Sequence, residues 1–445
     1  MRETGGTGTG FSWTVTGAGR RLMVGKSGVQ DAHAWADLDG DGCIDLIAIA
    51  TESGNYEDTD HELVAVHVPS GTVGWRALPG EVSKKVSIVG GAVVASTRSA
   101  TQLCGLDPRS GQQLWSVTLS DRLKEDPFDG DDRAPAIADA GGSIAAFECE
   151  DDTWHLLDVR TGQVVKSGEG HLVPLGSGVP GLIALGDGGE QIELWDTLRG
   201  RSVAKLETSQ IRVIPGAGAF GVIFRGERPD GGYGVQARFY DNASFAEVAR
   251  TVFPDEVDSG SGQYGVTGGF LLAGQRVLFG GPYERGPWLA TITPGGRSAA
   301  QVLPAPRPGY RFRTVAWVSP ALVTVWEKEK GTPKLVVVGH DPSSLAPVWT
   351  SEDLGGRHLD NVLHTDGSAV LVPHHPNPDH NEYQQHTNEC SIRHLDPSTG
   401  AVVTQYPMED VGCVETHGSF LCGAPTYFSG GLPVAYHIGR RERVL

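Results

Sequence analysis

Four closely spaced aspartates form the strongest candidate site in the sequence. They are Asp37, Asp39, Asp41 and Asp45, and an apolar run over residues 46–50 follows them directly. Alternate carboxylates in an extended loop point into one concavity, and oxygen ligands of this kind are those that Ca²⁺ prefers. The backbone carbonyl of Cys43 is positioned to add a further ligand. The pattern therefore predicts a calcium site at Asp37, Asp39, Asp41, Cys43 and Asp45, with a solvated acidic turn as the alternative.

The expected role of this calcium ion is structural. Four carboxylates around one ion leave little open coordination for activating a substrate. The loop also departs from an EF-hand, which needs Glu at its twelfth position and a following helix. Here that position is Ala48, and a strand is predicted to follow. We expect the ion to hold one inter-strand loop in place.

Three further polar segments are weaker candidates. Partial calcium spacing without a closing carboxylate is found at Asp126, Asp129, Asp131 and Asp132. A strand end that faces water is predicted at Glu148, Glu150, Asp151 and Asp152. Residues 374–390 contain four His and one Cys in a spacing that matches no closed metal site, so a metal site, a partner-contacting loop and inert surface all remain open.

An internal repeat predicts the elements that must position these residues. Two apolar strands flank a short turn with Asp near its start and usually Gly near its end, as in Asp107 to Gly111 and Asp396 to Gly400. Asp can bond the backbone that follows it, and Gly supplies the left-handed position that reverses the chain. Each copy therefore predicts an antiparallel hairpin. Eight copies are recognisable, centred near residues 71, 111, 162, 200, 244, 295, 344 and 400.

The repeat spacing predicts an all-β fold. Successive turns lie about 40 to 55 residues apart, which is the length of a four-stranded propeller blade. We expect a single β-propeller over residues 11–440, with eight four-stranded blades, seven or nine being the alternatives. Residues 1–10 are expected to form a flexible N-terminus and residues 441–445 a tail. Because a ring of blades must close to hide its last edge, we expect the strand at residues 11–16 to complete the C-terminal blade.

Charge and composition exclude several classes. The chain has 36 Lys and Arg against 54 Asp and Glu, a formal net charge of −18, which disfavours nucleic-acid binding. It has no apolar run long enough to span a membrane and no N-terminal secretory signal, so we expect a soluble, cytoplasmic protein, or a periplasmic or secreted one if this is a mature form. The six Cys include no C-x-x-C pair and are expected to be buried thiols. Whether Cys413 and Cys422 form a disulfide is left open.

Two other patterns are expected to be structural. Trp75, Trp115 and Trp349 occupy equivalent repeat positions and are expected to pack between blades. The G-x-G-x-x-G match at residues 216–221 has predicted strands on both sides and no following helix, so it is interpreted as a hairpin turn.

The D-x-x-T-G-x-x-x-W hairpin resembles that of PQQ-like (quinoprotein dehydrogenase-type) β-propellers. The Asp37 loop is similar to the calcium loops of FG-GAP and VCBS-type propeller repeats. A PQQ-dependent dehydrogenase of this resemblance would need a catalytic Asp base, a Ca²⁺ touching the quinone, a stacking Trp and usually a vicinal disulfide. The sequence has no adjacent Cys pair, so PQQ and catalysis are not expected and no catalytic residue is assigned.

The resemblance instead implies a binding function. We expect a bacterial protein-interaction or sensor scaffold whose partner is another protein, with a structural Ca²⁺ loop. The alternatives are a PQQ-dependent dehydrogenase and a carbohydrate-binding or lyase-type propeller.

Overall fold

The fold was obtained from a computed structural model of the chain. The residues that it describes are 2–3, 13–14, 21–23, 33–41, 44–51, 61–67, 72–78, 80–124, 137–173, 179, 181–187, 191–208, 211–214, 218–228, 231–253, 269–272, 276–280, 287–291, 296–297, 300–330, 334–355, 369–374, 391–407, 411–417, 420–425 and 434–437.

These residues form β-strands joined by turns, and none of them lies in a helix. No helix in this part of the chain is therefore available to cross a membrane.

We number the sheets in chain order. Sheet 1 contains β1 (Arg2–Glu3), β2 (Trp13–Thr14), β3 (Arg21–Met23), β4 (His33–Ala36), β5 (Asp45–Thr51), β6 (Glu62–His67) and β7 (Thr72–Ala77). Sheet 2 contains β8 (Val82–Val89), β9 (Ala92–Thr97), β10 (Gln102–Leu106) and β11 (Gln113–Thr118). Sheet 3 contains β12 (Ile137–Asp139), β13 (Ile144–Glu148), β14 (Thr153–Asp158) and β15 (Gln163–Glu169).

The middle of the chain forms the next three sheets. Sheet 4 contains β16 (His171–Val173), β17 (Leu182–Gly186), β18 (Gln191–Asp196) and β19 (Arg201–Glu207). Sheet 5 contains β20 (Ile211–Ile214), β21 (Ala219–Glu227), β22 (Tyr233–Asp241) and β23 (Glu247–Val252), with β27 (Gly296–Arg297) added in parallel to β23. Sheet 6 contains β24 (Gly269–Leu272), β25 (Arg276–Gly280), β26 (Pro287–Thr291) and β28 (Ala300–Val302).

The C-terminal part forms three more sheets. Sheet 7 contains β29 (Tyr310–Val318), β30 (Ala321–Lys328), β31 (Lys334–His340), β32 (Pro347–Thr350) and β33 (Leu354–Gly355). Sheet 8 contains β34 (Val370–His374), β35 (Ser391–Leu395) and β36 (Val402–Pro407), and sheet 9 contains β37 (Val411–His417), β38 (Phe420–Pro425) and β39 (Val434–His437).

The sheets form a single β-propeller. Strands of neighbouring sheets contact one another, as β4 contacts β8 and β8 contacts β12. Apolar clusters fill the spaces between successive sheets, and one of them joins Ile47 and Leu63 of sheet 1 to Val93 of sheet 2. A blade that is covered on both faces in this way depends on its neighbours for burial.

The predicted hairpins are confirmed. All eight repeat copies join antiparallel strands, and the G-x-G-x-x-G segment connects the antiparallel strands β20 and β21. In a representative turn, Asp107 Oδ1 accepts hydrogen bonds from the backbone of Arg109 at 3.1 Å and of Ser110 at 2.8 Å, and Gly111 has φ +69°. The same Asp geometry recurs at Asp241, Asp341 and Asp396.

The number of blades differs from the expectation. Sheets 1 to 7 each contain at least four strands, whereas sheets 8 and 9 contain three strands each in the described residues. The structure thus supports seven four-stranded blades, and eight are not supported. The eighth hairpin does form, between β35 and β36, but a turn motif specifies only the two strands that it joins.

The expected closure by the N-terminal strand is wrong for the described residues. β2, which includes Trp13, pairs with β1 and β3 in sheet 1 and not with β39 of sheet 9. Pairing with strands nearby in sequence closes only short loops, which costs less chain entropy than reaching the C-terminal sheet.

Two of the cysteines are buried free thiols, as expected. Cys104 and Cys149 are 3% and 0% exposed, and burial raises the pKa of both thiols. In the last sheet Cys413 is opposite Ala424 and Cys422 is opposite Glu415, so the two cysteines are not cross-strand partners.

Candidate calcium loop and inter-blade contacts

The candidate calcium loop connects β4 and β5 of sheet 1. Ala36 and Asp45 are a cross-strand pair at the base of the loop, so the chain leaves and re-enters the sheet at the same level. Residues 37–41 and 44 of the loop are described, whereas Gly42 and Cys43 lie outside the described residues. The structure therefore places four of the five predicted ligand residues.

Asp45 is the buried member of the loop. Its side chain is 4% exposed, and its Oδ2 accepts a hydrogen bond from the Leu38 backbone at 3.0 Å. Its other oxygen, Oδ1, is buried without a hydrogen-bond partner. Burial raises the pKa of Asp45, the Leu38 hydrogen bond lowers it, and the charge of Asp39 raises it again. A buried carboxylate oxygen left without a partner is costly unless something else binds it.

Three of the carboxylates converge. One oxygen each from Asp37, Asp39 and Asp45 lies within 4.8 Å of the other two. Local hydrogen bonds shape this arrangement, because Asp37 Oδ1 accepts from the Gly40 backbone at 2.7 Å and Asp39 Oδ1 accepts from Asp41 at 3.0 Å. Gly40 has φ +82°, which favours glycine at this position of the loop.

Asp41 has a second neighbour. Its Oδ2 lies 3.2 Å from Nε2 of His67, the last residue of β6, and Asp39, Asp41 and His67 form a second potential ligand group. Sequence reasoning did not identify His67, which is 26 residues away and reaches the loop only through the pairing of β5 with β6. The donor set thus contains three convergent carboxylates with one orphaned oxygen, which fits a hard cation such as Ca²⁺.

The structure also describes one of the other predicted polar segments, Glu148 to Asp152. Glu148 was expected to face water, and this is wrong, since it is 0% exposed. It accepts from Lys124 Nζ at 2.6 Å and from the Leu172 backbone at 3.2 Å, and it lies 2.9 Å from His171 Nδ1. These contacts join sheet 3 to sheet 4 and to the segment that follows sheet 2, so the carboxylate has partners that its own sequence neighbourhood does not contain. The Asp126 to Asp132 segment and residues 375–390 lie outside the described residues.

The predicted inter-blade role of the repeat tryptophans is confirmed. Each indole lies against the left-handed glycine of the next hairpin, namely Gly111, Gly162 and Gly400. Each indole N–H also donates to a carbonyl of that hairpin. The pairs are Trp75 with Pro108 at 2.7 Å, Trp115 with Val159 at 2.5 Å and Trp349 with Pro397 at 2.8 Å.

The contact between sheets 4 and 5 is made differently. Ala204 takes the tryptophan position in β19, and Arg199 and Arg201 instead donate to the Ala243 and Ser244 carbonyls. Phe245 replaces the glycine of that hairpin with φ +56° and is 5% exposed. The blades are therefore joined by at least two kinds of contact.

Comparisons with known proteins give one family match. The family model described as outer membrane protein assembly factor BamB matches residues 59–210, about a third of the chain. No curated protein matches the sequence.

Several solved structures are similar at low sequence identity. The computationally designed Ika8 protein is 13% identical, with 79% of this chain and 95% of that chain covered and a TM-score of 0.45. BamB from Moraxella catarrhalis is 14% identical, with 94% and 100% covered and a TM-score of 0.42. The Cps50 (Swd1) β-propeller domain from Myceliophteria thermophila is 15% identical, with 63% and 89% covered and a TM-score of 0.35. Together with the hairpins described above, the family match confirms that residues 59–210 carry the repeat of PQQ-like, BamB-type β-propellers.

Proposed function

We propose that this chain is a non-catalytic protein-interaction scaffold, a PQQ-like propeller whose first blade is held by a structural Ca²⁺ ion. The observation that carries the calcium part is the orphaned Oδ1 of Asp45, which faces no hydrogen-bond donor although the side chain is 4% exposed. A divalent cation would bind this oxygen together with Asp37 and Asp39. In the proposal, Asp41 and the Cys43 carbonyl complete the ligand set.

The structural consequence of the ion follows from the position of the loop. The calcium ligands lie at the junction of β4 and β5, and β4 contacts β8 of the next sheet. Binding would neutralise carboxylates that otherwise repel one another across a few ångströms. The ion would thus hold the inner hairpin of sheet 1 against sheet 2.

The interaction part of the proposal rests on apolar side chains exposed at repeated positions. The outer strands of several blades each carry, at the same repeat position, an aliphatic side chain that is about half exposed. These side chains include Leu114 at 53%, Val165 at 56%, Val248 at 53%, Val348 at 61% and Val403 at 46%. The match to an assembly-factor family supports the same role by analogy. The partner is expected to be another protein and not a nucleic acid, given the net charge of −18.

Calcium titration calorimetry tests the metal site. The parent protein, stripped of divalent cations, should bind one Ca²⁺, and Asp45→Asn should abolish this binding. Asp139→Asn is the matched control, because Asp139 caps a turn through the Gly141 backbone at 2.8 Å and belongs to no carboxylate group among the described residues. Equal calcium affinity in the parent and Asp45→Asn would remove the site.

Affinity purification from the native host tests the scaffold. A partner that copurifies should bind the purified protein directly and should bind a Leu114→Ser, Val348→Ser variant more weakly. A monomer with no protein partner that reduces a dye after reconstitution with PQQ and Ca²⁺ would overturn the proposal in favour of a dehydrogenase.

A further inference from the structure

A cationic groove lies between the outer strand of sheet 4 and the face of sheet 5 that packs towards it. It is open to solvent and has a volume of about 470 Å³, within the size range of small-molecule sites. Four of its side chains are cationic and two are carboxylates: Lys205, Arg228, Arg238 and Arg250 against Glu207 and Glu227. In a chain with a net charge of −18, this is a local reversal of charge.

The groove lies at a junction whose repeat position carries no tryptophan. It belongs to the junction between sheets 4 and 5, at which Ala204 stands in place of the inter-blade tryptophan. The interior of this junction is filled by an apolar cluster that includes Leu206 and Phe224. Phe224 also lines the groove, whose other lining side chains are mostly charged.

Arg228 is held in the groove by the backbone around it. It is only 8% exposed, and its backbone N–H donates to the Gly232 carbonyl at 2.6 Å. A Cβ atom at Gly234 would lie 1.9 Å from its guanidinium, so only glycine leaves room for this side chain. The side chain of Arg228 therefore has a fixed position in the lining of the groove.

Two of the other cations lack acidic partners. Lys205 and Arg238 form no ion pair within 4.0 Å among the described residues, and the Arg238 guanidinium lies 5.5 Å from the centre of the Phe224 ring. Glu193 is opposite Lys205 in the strand register, but its carboxylate lies 3.9 Å from Lys166.

The remaining charges are partly balanced. Arg250 pairs with Glu247 at 2.7 Å. Glu207 and Glu227 are exposed and also line the groove. Lys205 and Arg238 are therefore the two cations of the groove that pair with no carboxylate of the described residues.

We propose that this groove binds a small organic anion carrying two or more carboxylate or phosphate groups. Guanidinium and ammonium groups form their strongest hydrogen bonds with these acceptors. Lys205 from β19 and Arg238 from β22 line the same groove and can contact separate acidic groups of one ligand, which favours a polyanion over a single carboxylate. This site is independent of the calcium loop and of the scaffold role.

Isothermal titration with succinate and with inorganic phosphate tests the site in the intact protein. Both probes chelate Ca²⁺ weakly, and the comparison between them distinguishes a carboxylate from a phosphate ligand. At least one should bind saturably at one site. Arg238→Gln and Lys205→Gln should each weaken binding by about tenfold or more, the loss of one charge-assisted contact.

Two further variants make the test specific. Arg98→Gln removes one positive charge from an exposed loop of sheet 2 and should leave the affinity unchanged. Glu207→Gln should tighten binding, since it removes a carboxylate that repels the anion. The proposal is overturned if neither probe binds saturably, if Arg98→Gln weakens binding as much as the groove variants, or if Glu207→Gln weakens it. Lys205 is exposed, so its variant gives a result even if Arg238→Gln folds poorly.

Discussion

The indole of Trp115 lies directly against Gly162 of the next sheet. A Cβ atom at Gly162 would be 2.8 Å from Trp115 Cγ, and the indole N–H donates to the Val159 carbonyl of the same hairpin. This residue pair thus joins β11, the outer strand of sheet 2, to the turn of sheet 3. Gly200, at the equivalent turn of sheet 4, has φ +62° and no atom within 4 Å of such a Cβ.

We expect Gly162→Ala to destabilise the protein more than Gly200→Ala does. Both substitutions place alanine in the left-handed region, which costs about 1–2 kcal/mol. Only the first also forces a contact with tryptophan, and overpacking of this kind costs roughly 1–3 kcal/mol more. Urea unfolding of the two variants measures the difference. Equal losses would mean that the indole moves away freely and that the contact does not hold the blades together.

Leu345 takes the place of the hairpin glycine in sheet 7, with φ +58° and 5% exposure. We expect Leu345→Ala to be less stable than Leu345→Gly, the reverse of the usual order. Both lose the packing with Leu303 and Leu322, a loss of about 2–5 kcal/mol for Leu→Ala. Glycine also relieves the left-handed strain, which alanine retains. Thermal unfolding gives the ranking, and an alanine variant as stable as the glycine variant would contradict it.

The sequence predicted the features of this fold that depend on neighbouring residues. An Asp and a Gly four residues apart, as in Asp107 and Gly111, determine a turn by bonding and φ preferences that act within the turn. The same pattern predicted the position of the repeat tryptophans. Phe245 and Leu345 show its limit, because they adopt the glycine conformation without being glycine, and only the packing around them explains why.

Long-range relationships were not predictable. His67 lies beside Asp41 through strand pairing, and Glu148 of sheet 3 contacts Lys124, which follows sheet 2, and His171 of sheet 4. The number of four-stranded sheets likewise depends on which strands pair beyond each hairpin. No short-range pattern in the sequence encodes these contacts.

The buried Glu148 predicts an asymmetric response to mutation. Lys124→Met should destabilise the protein by about 1–3 kcal/mol, because it removes the ammonium group 2.6 Å from a carboxylate that is 0% exposed and leaves that carboxylate only its contacts with His171 and the Leu172 backbone. Glu148→Gln in the Lys124→Met background should restore part of this loss by removing the buried negative charge. Arg160→Gln is the control, since the exposed Arg160–Asp158 pair should contribute little. Chemical denaturation of all three variants checks the order, and similar stability of Lys124→Met and Arg160→Gln would contradict it.

His340 predicts how stability depends on pH. Its ring is 6% exposed, with Nδ1 3.0 Å from the Leu345 carbonyl and Nε2 2.8 Å from the Thr324 hydroxyl. Burial lowers the pKa of His340, and the hydrogen bond to Leu345 raises it by less. The folded state therefore keeps the ring neutral to a lower pH than the unfolded state, whose histidine titrates near its ordinary value of 6.5.

As pH falls below 6.5, the unfolded chain binds a proton at this histidine before the folded protein does, so the free energy of unfolding should decrease until the folded pKa is passed. Above that range the contribution of His340 is constant. His340→Gln should make the decrease between about pH 7.5 and pH 5.5 shallower, as measured by urea unfolding across this range. The pKa of His155 is lowered chiefly by burial as well, so His155→Gln should act in the same direction and the double variant should be shallower still. If His340→Gln keeps the pH dependence of the parent, the buried neutral ring is not the source of this acid sensitivity.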